Sequence, residues 1–278
     1  MTHKNSAIYP KQTLRNETSS GLDSGPPHSI IEILGVKINL VDHNTTSAII
    51  KDGISRHARG RYICACPVYS IMVSQRDNEL RMALNDSWLT VPDGMPVVWA
   101  ARLLGGKIKK NVRGTDLMLL TCELAEKKNY SIYLYGGKRE TLDNLEKNLQ
   151  NKFPTLRILG KYSPPFRPLS PTEDLRITRM LRSASPDILF VSLGAPKQEK
   201  WMAEHCQKIE VPINIGVGAA FDFIAGEKKE APSWVQNCGL EWLFRLLCEP
   251  GRLWKRYLVY NALFIISFSR QLIKNRLS

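Results

Sequence analysis

Residues 186–202 read "PDILFVSLGAPKQEKWM", and this stretch decides the architecture. Its apolar run is too short for a helix and apolar at every position, as expected of a strand buried on both faces of a parallel sheet. The run stops at Gly194, and Pro196 suits the first turn of a following helix. Lys197, Gln198 and Glu199 then sit where that helix presents the positive end of its dipole. Packing alone does not call for three polar residues there, so a ligand role is the favoured reading.

The same grammar runs outward in both directions. From Ile30 onward, short β-rich runs alternate with amphipathic stretches, the pattern of an α/β fold with a mostly parallel sheet and helices on both faces. Strands are expected in "IIEILGVKINLV" (a small hairpin), "RYICACP", "WLTVP", "SIYLYGG", "LRILGKY", "DILFVSLG" and "PINIGVG". Helices are expected at 46–56, 68–84, 95–104, 115–127, 139–152, 172–183 and 197–208. Residues 1–28 are polar, lack an apolar run of signal-peptide length, and read as a disordered leader. The core is assigned to 29–232 and a helical, basic and aromatic appendage to 233–278.

The chain has 278 residues, 43% of them hydrophobic, enough for one α/β domain with an appendage. Its net charge of +13 favours an anionic partner. No acidic residue follows Glu249, whereas Arg252, Lys255, Arg256, Arg270, Lys274 and Arg276 are basic. On one continuous helix, Trp254, Tyr257, Leu258, Ile265, Phe268 and Leu272 would share a face opposite Arg252, Arg256, Arg270 and Lys274. The longest apolar run there, "ALFIISF", is far short of the roughly 20 residues that span a bilayer. The six cysteines form no CxxC pair or zinc spacing and the five histidines are scattered, so a reducing compartment and no structural metal are expected.

Ligands of open parallel sheets bind beyond the carboxyl ends of the strands, so the strand ends nominate the site. In "LTVPDGMPVVWAARLLGG", Asp93 before Gly94 either caps the next helix or stands at the sheet edge as a general base, and the two roles are compatible. In "NVRGTDLM", Gly114, Thr115 and Asp116 either meet a phosphate or sugar or simply cap a helix. Gly136 and Gly137, followed by Lys138, allow close backbone approach to a ligand and equally make an ordinary tight turn. In "INIGVGAAFDFIAG", Gly218 repeats the device. Asp222, set between Phe221 and Phe223, is either a satisfied core carboxylate or an acceptor for sugar hydroxyls. The absence of GxGxxG in the right context lowers the case for a dinucleotide enzyme.

In order and spacing, "PDGMPVVWAARLLGG", "RGTDLM", "LYGGK", "VSLGAPKQEKWM" and "GVGAAFDFIAGEKKEAPSWVQNCGLEWLFRLLCEPGRLWKRYL" resemble the WecG/TagA/CpsF glycosyltransferases over roughly residues 30–260. The resemblance implies a cytoplasmic bacterial enzyme with a Rossmann-like core. Such an enzyme moves a hexose or N-acetylhexosamine-type sugar from a nucleotide diphosphate, usually UDP, to a sugar on a polyprenyl diphosphate, for cell-surface polysaccharide synthesis. It implies inversion at the anomeric carbon with Asp93 as base, and an appendage at the inner membrane face that brings arginines to the site. With it, the donor side is read as Gly94, Gly114, Thr115, Asp116, Gly136, Gly137, Lys138, Gly194, Pro196, Gln198, Glu199, Gly218, Phe221 and Asp222, and the diphosphate as held by Arg245, Arg252 and Arg256.

No DxD motif is present, so no metal or cofactor beyond the UDP-sugar is expected. A bland alternative has the arginines pairing with Glu241 and Glu249 on their own helices. By spacing, Ala65 and Pro67 replace the family's Thr-x-Asn, and Asn111 replaces the arginine of RVxGTD, which keeps a catalytically impaired binding module as the alternative function. Nucleic acid is disfavoured, because the basic tract carries a large apolar face and no reading motif. A homo-oligomer is left open.

Overall fold

The computed structural model describes residues 29–277, so the expected leader lies outside the described residues. β1 (Ile30–Ile33) and β2 (Val36–Asn39) form the expected antiparallel hairpin. The other strands are β3 (Arg61–Cys66), β4 (Leu89–Pro92), β5 (Ser131–Gly136), β6 (Arg157–Tyr162), β7 (Ile188–Ser192) and β8 (Ile213–Gly216). They lie in the order β4-β3-β8-β7-β5-β6, and every neighbouring pair is parallel. All their carboxyl ends therefore open on one edge.

The helices are α1 (His43–Ser55), α2 (Val68–Ser74), α3 (Asn78–Asn85), α4 (Met95–Leu103), α5 (Gly114–Lys128), α6 (Arg139–Lys152), α7 (Pro171–Ala184), α8 (Lys197–Ile209), α9 (Ala220–Ile224), α10 (Ser233–Asn237) and α11 (Glu241–Cys248). Then α12 (Pro250–Trp254) continues through a π turn (Lys255–Val259) into α13 (Tyr260–Leu277). Alternation along the strands builds two cores. Ile63 and Ala65 of β3 face the layer of α1, α5, α6 and α9, where Ile50, Leu117, Leu145 and Phe221 are fully buried. Tyr62, Cys64 and Cys66 face the layer of α2, α3, α4, α7 and α8. Burial on both faces is why these strands carry no polar alternation.

Two expectations need correction. Residues 68–84 are not one helix: α2 ends at Ser74, and the Asp77 carboxylate accepts the Leu80 N–H at 3.0 Å, capping a separate α3. The tail is continuous over residues 250–277, yet its apolar residues do not share one face. The Tyr260 N–H donates to the Lys255 carbonyl, one residue further than in an α-helix, and the wider turn shifts the phase of everything beyond it. Phe264 and Phe268 are consequently buried in the core and Leu272 packs against it, whereas Trp254, Leu258 and Ile265 stay exposed. Docking of α13 is further fixed by Gln271, which accepts the Leu34 N–H and donates to the Glu32 carbonyl, both at 2.9 Å.

Candidate active site

The loops leaving β3, β4, β5, β7 and β8 enclose a cleft of about 480 Å³ at the carboxyl edge of the sheet. Its walls contain Asp93, Gly114, Thr115, Gly137, Lys138, Gly194, Gln198, Glu199, Gly218 and Asp222, together with Arg245, Arg252 and Arg256 from the C-terminal helices. Thus most of the residues nominated at strand ends converge, although they span 163 positions from Asp93 to Arg256. A smaller cavity of about 70 Å³ adjoins on the other side of Asp93, with Gly94, Tyr69, Asn111, Trp242 and Tyr257 in its wall.

Asp93 does not cap α4. Gly94 occupies the N-cap position, and the Asp93 carboxylate accepts no hydrogen bond from the described residues. Burial, reinforced by the negative Glu241, pushes its pKa up to about 6 against the pull of Arg245, Arg256 and Arg113. A carboxylate poised near neutrality at the junction of two cavities suits proton abstraction.

Four nominated residues lie elsewhere. Phe221 is fully buried under the cleft and packs in the core. Asp116 neither caps α5 nor lines the cleft. Burial alone would raise its carboxyl, but Arg113 Nε and an Arg113 terminal nitrogen donate to it at 2.7 and 2.6 Å and, with the His43 ring 3.6 Å away, hold it well below the usual range. Gly136 lies beneath the wall: at φ +118° a side chain there would put Cβ 2.2 Å from the Ser192 carbonyl oxygen, so only glycine lets β5 and β7 close up at this edge. Pro196 follows a cis peptide bond and serves as the N-cap of α8 without lining the cleft.

The three arginines differ in kind. Arg256 stands over the Tyr69 ring at 4.7 Å, its Nε is buried without a hydrogen-bond partner, and burial beside Arg245 lowers its pKa. Arg245 lies over the Phe223 ring at 5.1 Å. Arg252 is held by Glu249 through two bonds of 2.6 and 2.8 Å, as the bland reading anticipated, while still bordering the cleft. Asp222 is no core carboxylate, since it pairs with Lys228 at the cleft wall. Arg113, 12% exposed and facing Asp116, Glu230 and Glu241, is not among the residues nominated from the sequence. Tyr69, Trp242 and Tyr257 were not nominated: they come from three separate elements, and an aromatic residue in a helical turn reads as packing, as Tyr257 did in the tail.

Among the described residues, one group has donor atoms close enough to share a metal ion: Asp174, Glu204 and His205, within 4.8 Å of one another. It lies between α7 and α8, outside the cleft lining. The His205 ring already bonds Asp174 at 2.9 Å and the Trp201 carbonyl at 2.9 Å.

Residues 31–278 match the family model described as "Glycosyl transferase WecG/TagA/CpsF family". Among curated proteins, the N-acetylglucosaminyldiphosphoundecaprenol N-acetyl-beta-D-mannosaminyltransferase of Bacillus subtilis (strain 168) is 32% identical over 183 residues, covering 66% of this chain and 69% of that protein. The protein of the same name from Bacillus spizizenii is 30% identical, covering 63% and 66%. That of Staphylococcus aureus (strain NCTC 8325 / PS 47) is 28% identical, covering 62% and 65%. The matched region is about two thirds of each relative's length.

Proposed function

Because the chain belongs to the WecG/TagA/CpsF glycosyl transferase family, we propose that it moves an N-acetylhexosamine-type sugar from a UDP donor to a sugar on a polyprenyl diphosphate. The relatives' names specify N-acetylmannosamine passed to N-acetylglucosaminyldiphosphoundecaprenol, and this pair is the first to try. One observation carries the reading. Asp93, unpaired and raised to about 6, stands between a cleft with arginines in its wall and a smaller cavity with three aromatic rings. The first suits a diphosphate, and the rings of the second offer apolar faces against which a sugar can pack.

In the step this geometry supports, Asp93 takes the proton of the acceptor hydroxyl while that oxygen bonds to the donor's anomeric carbon. The bond from that carbon to the phosphate oxygen breaks, and UDP departs with the electron pair on the opposite face. A single displacement inverts the anomeric configuration. Arg245 and Arg256 neutralise the charge growing on UDP. Incubation with UDP-N-acetylmannosamine and a short-chain polyprenyl-diphosphate N-acetylglucosamine is expected to yield a new glycolipid and one UDP per transfer. Ala65 and Pro67 line the cleft without hydrogen-bonding side chains, which favours the second reading, a binding module. Donor binding with no product would establish it.

Charge neutralisation by arginine makes the reaction metal-independent. Turnover in EDTA is expected to stay within about twofold of that in Mg²⁺, since the arginines contribute the charge-assisted contacts that an ion would otherwise make. Abolition by EDTA with recovery on adding Mg²⁺ or Mn²⁺ would overturn this.

Attachment to the inner face of the cytoplasmic membrane belongs to the same proposal. No helix of the described residues is long and apolar enough to cross a membrane. Leu258, Ile265, Ile266 and Ile273 are more than half exposed on the C-terminal helix, beside Lys255, Arg270 and Lys274. Each basic residue near an anionic leaflet contributes about 1 kcal/mol, and the apolar side chains add to it. The full chain is expected to float with anionic liposomes at low salt and progressively less as salt rises. Equal flotation of a chain with Leu258, Ile265, Ile266 and Ile273 changed to serine would remove this face from the attachment.

A further inference from the structure

Glu199 stands in the first turn of α8 and lines the cleft, yet it is 0% exposed. Its two oxygens are unequally served. Oε1 accepts from Gln198 Nε2 at 2.9 Å, while Oε2 is buried without a hydrogen-bond partner. An unmet carboxyl oxygen in such a place costs free energy unless something else meets it. The residues beside it do not: Ala65 has no polar side-chain atom, and the Cys64 and Cys66 side chains accompany it in the interior.

The polarity of the chain of bonds is fixed from its far end. The Gly218 N–H donates to Gln198 Oε1 at 3.1 Å, so the Gln198 amide must present its NH₂ to Glu199. Oε1 of Glu199 is thereby the acceptor, and Oε2 is left without a partner. Burial raises the Glu199 carboxyl above the usual range, against the pull of the Gln198 bond; in the neutral acid the proton sits on Oε2, because Oε1 already accepts from Gln198. Glu199 also lies on the reacting side of the cleft. The charges of Glu199 and Asp93 both act on Cys66, and Arg256 acts on both carboxyl groups.

We propose that Glu199, oriented by Gln198 and Gly218, is the specificity contact that donates a hydrogen bond from Oε2 to one hydroxyl of the sugar being transferred. The inference rests on the UDP-sugar reading above and adds to it the residue that reads the sugar. A neutral acid donor suits an alcohol and adds no negative charge beside a diphosphate. An ionised carboxylate there would repel that diphosphate.

The test is calorimetric titration of UDP, UDP-N-acetylmannosamine and the donor's single-deoxy analogues into wild type, Glu199→Gln and Glu199→Ala, with thermal melts of all three. Glutamine reproduces both bonds, its oxygen accepting from Gln198 and its amide donating to the ligand. Glu199→Gln is therefore expected to bind the UDP-sugar within about twofold of wild type, and Glu199→Ala about tenfold more weakly, the size of one net hydrogen bond. UDP itself is expected to bind all three equally. One deoxy analogue should cost wild type about tenfold and Glu199→Ala less than twofold, the coupling expected when two groups touch. Equal weakening of UDP and UDP-sugar in Glu199→Ala would overturn the assignment. So would loss of UDP-sugar binding in a folded Glu199→Gln, or no deoxy analogue being discriminated by wild type. If wild type binds neither UDP nor the UDP-sugar, the transferase reading itself fails, which is a separate result.

Discussion

Asp93→Asn is expected to lower kcat by about 10²–10⁴-fold, the contribution of a positioned general base, while leaving the affinity for UDP within about twofold. Asparagine keeps the shape of the side chain and cannot take a proton. The wild-type rate should fall as pH drops through about 6, because a protonated Asp93 cannot accept the acceptor's hydrogen, and this limb should be absent from the residual activity of the variant. Stability moves the other way. The folded-state pKa lies above the ordinary 3.8, so the neutral acid's advantage is present at low pH and is lost as pH rises towards 6. At pH 7 the native carboxylate is therefore a burden on the fold, and its replacement by asparagine should raise stability by on the order of 1–3 kcal/mol. A variant that is less active and melts higher separates chemistry from folding. Full activity in a folded Asp93→Asn protein would remove Asp93 from the role of base.

Arg256→Ala is expected to lower kcat/KM by about 10²–10³-fold, the size associated with losing one preorganised donor to developing charge. Its guanidinium is set by the Tyr69 ring, and its buried Nε has no hydrogen-bond partner. Added guanidinium should restore part of the rate in Arg256→Ala, and Arg256→Lys should recover little, because an ammonium lacks the planar fork. Arg252→Ala should cost less than about tenfold, since Glu249 already holds that guanidinium through two bonds in a more exposed setting. Equal losses at 252 and 256 would mean that both arginines act as bulk positive charge, and the distinction between them would fall.

How much of this site was legible before folding depends on where each residue sits in the chain. Asp93, Gly137, Gly194 and Gly218 all follow apolar strands, and a parallel sheet brings such positions to one edge whatever the strand order, whereas Gly114 was legible only as the start of a helix. Glu199 and Gln198 were legible for the same reason, as polar residues opening a helix. Asp116 and Phe221 share those motifs but turn away from the cleft, the first towards Arg113 and the second into the core. A motif specifies backbone position, whereas the direction of a side chain is settled by what packs or pairs beside it. The tail was misread for a related reason. A period of 3.6 residues per turn does not hold across the wider turn at 255–259, so the stripe from Trp254 to Leu272 divides between core and solvent.

By itself, then, the sequence determined the alternation of strand and helix, the edge of the sheet at which the candidate site lies, the family and the identity of the candidate base. These are local properties, written in runs of apolar residues and in the residues that end them. Tertiary structure alone decided the rest: that Arg256 enters the cleft while Phe264 and Phe268 enter the core, that Arg113 also gathers Glu230 and Glu241, and that Asp93 is raised towards neutrality. The two aspartates, Asp93 and Asp116, are the same residue type, one just after a strand and the other in the first turn of a helix. What separates them is that Arg113, only three residues away, bonds the Asp116 carboxylate, whereas Asp93 is buried without a bonded partner beside Glu241, Arg245 and Arg256, which folding brings from far along the chain.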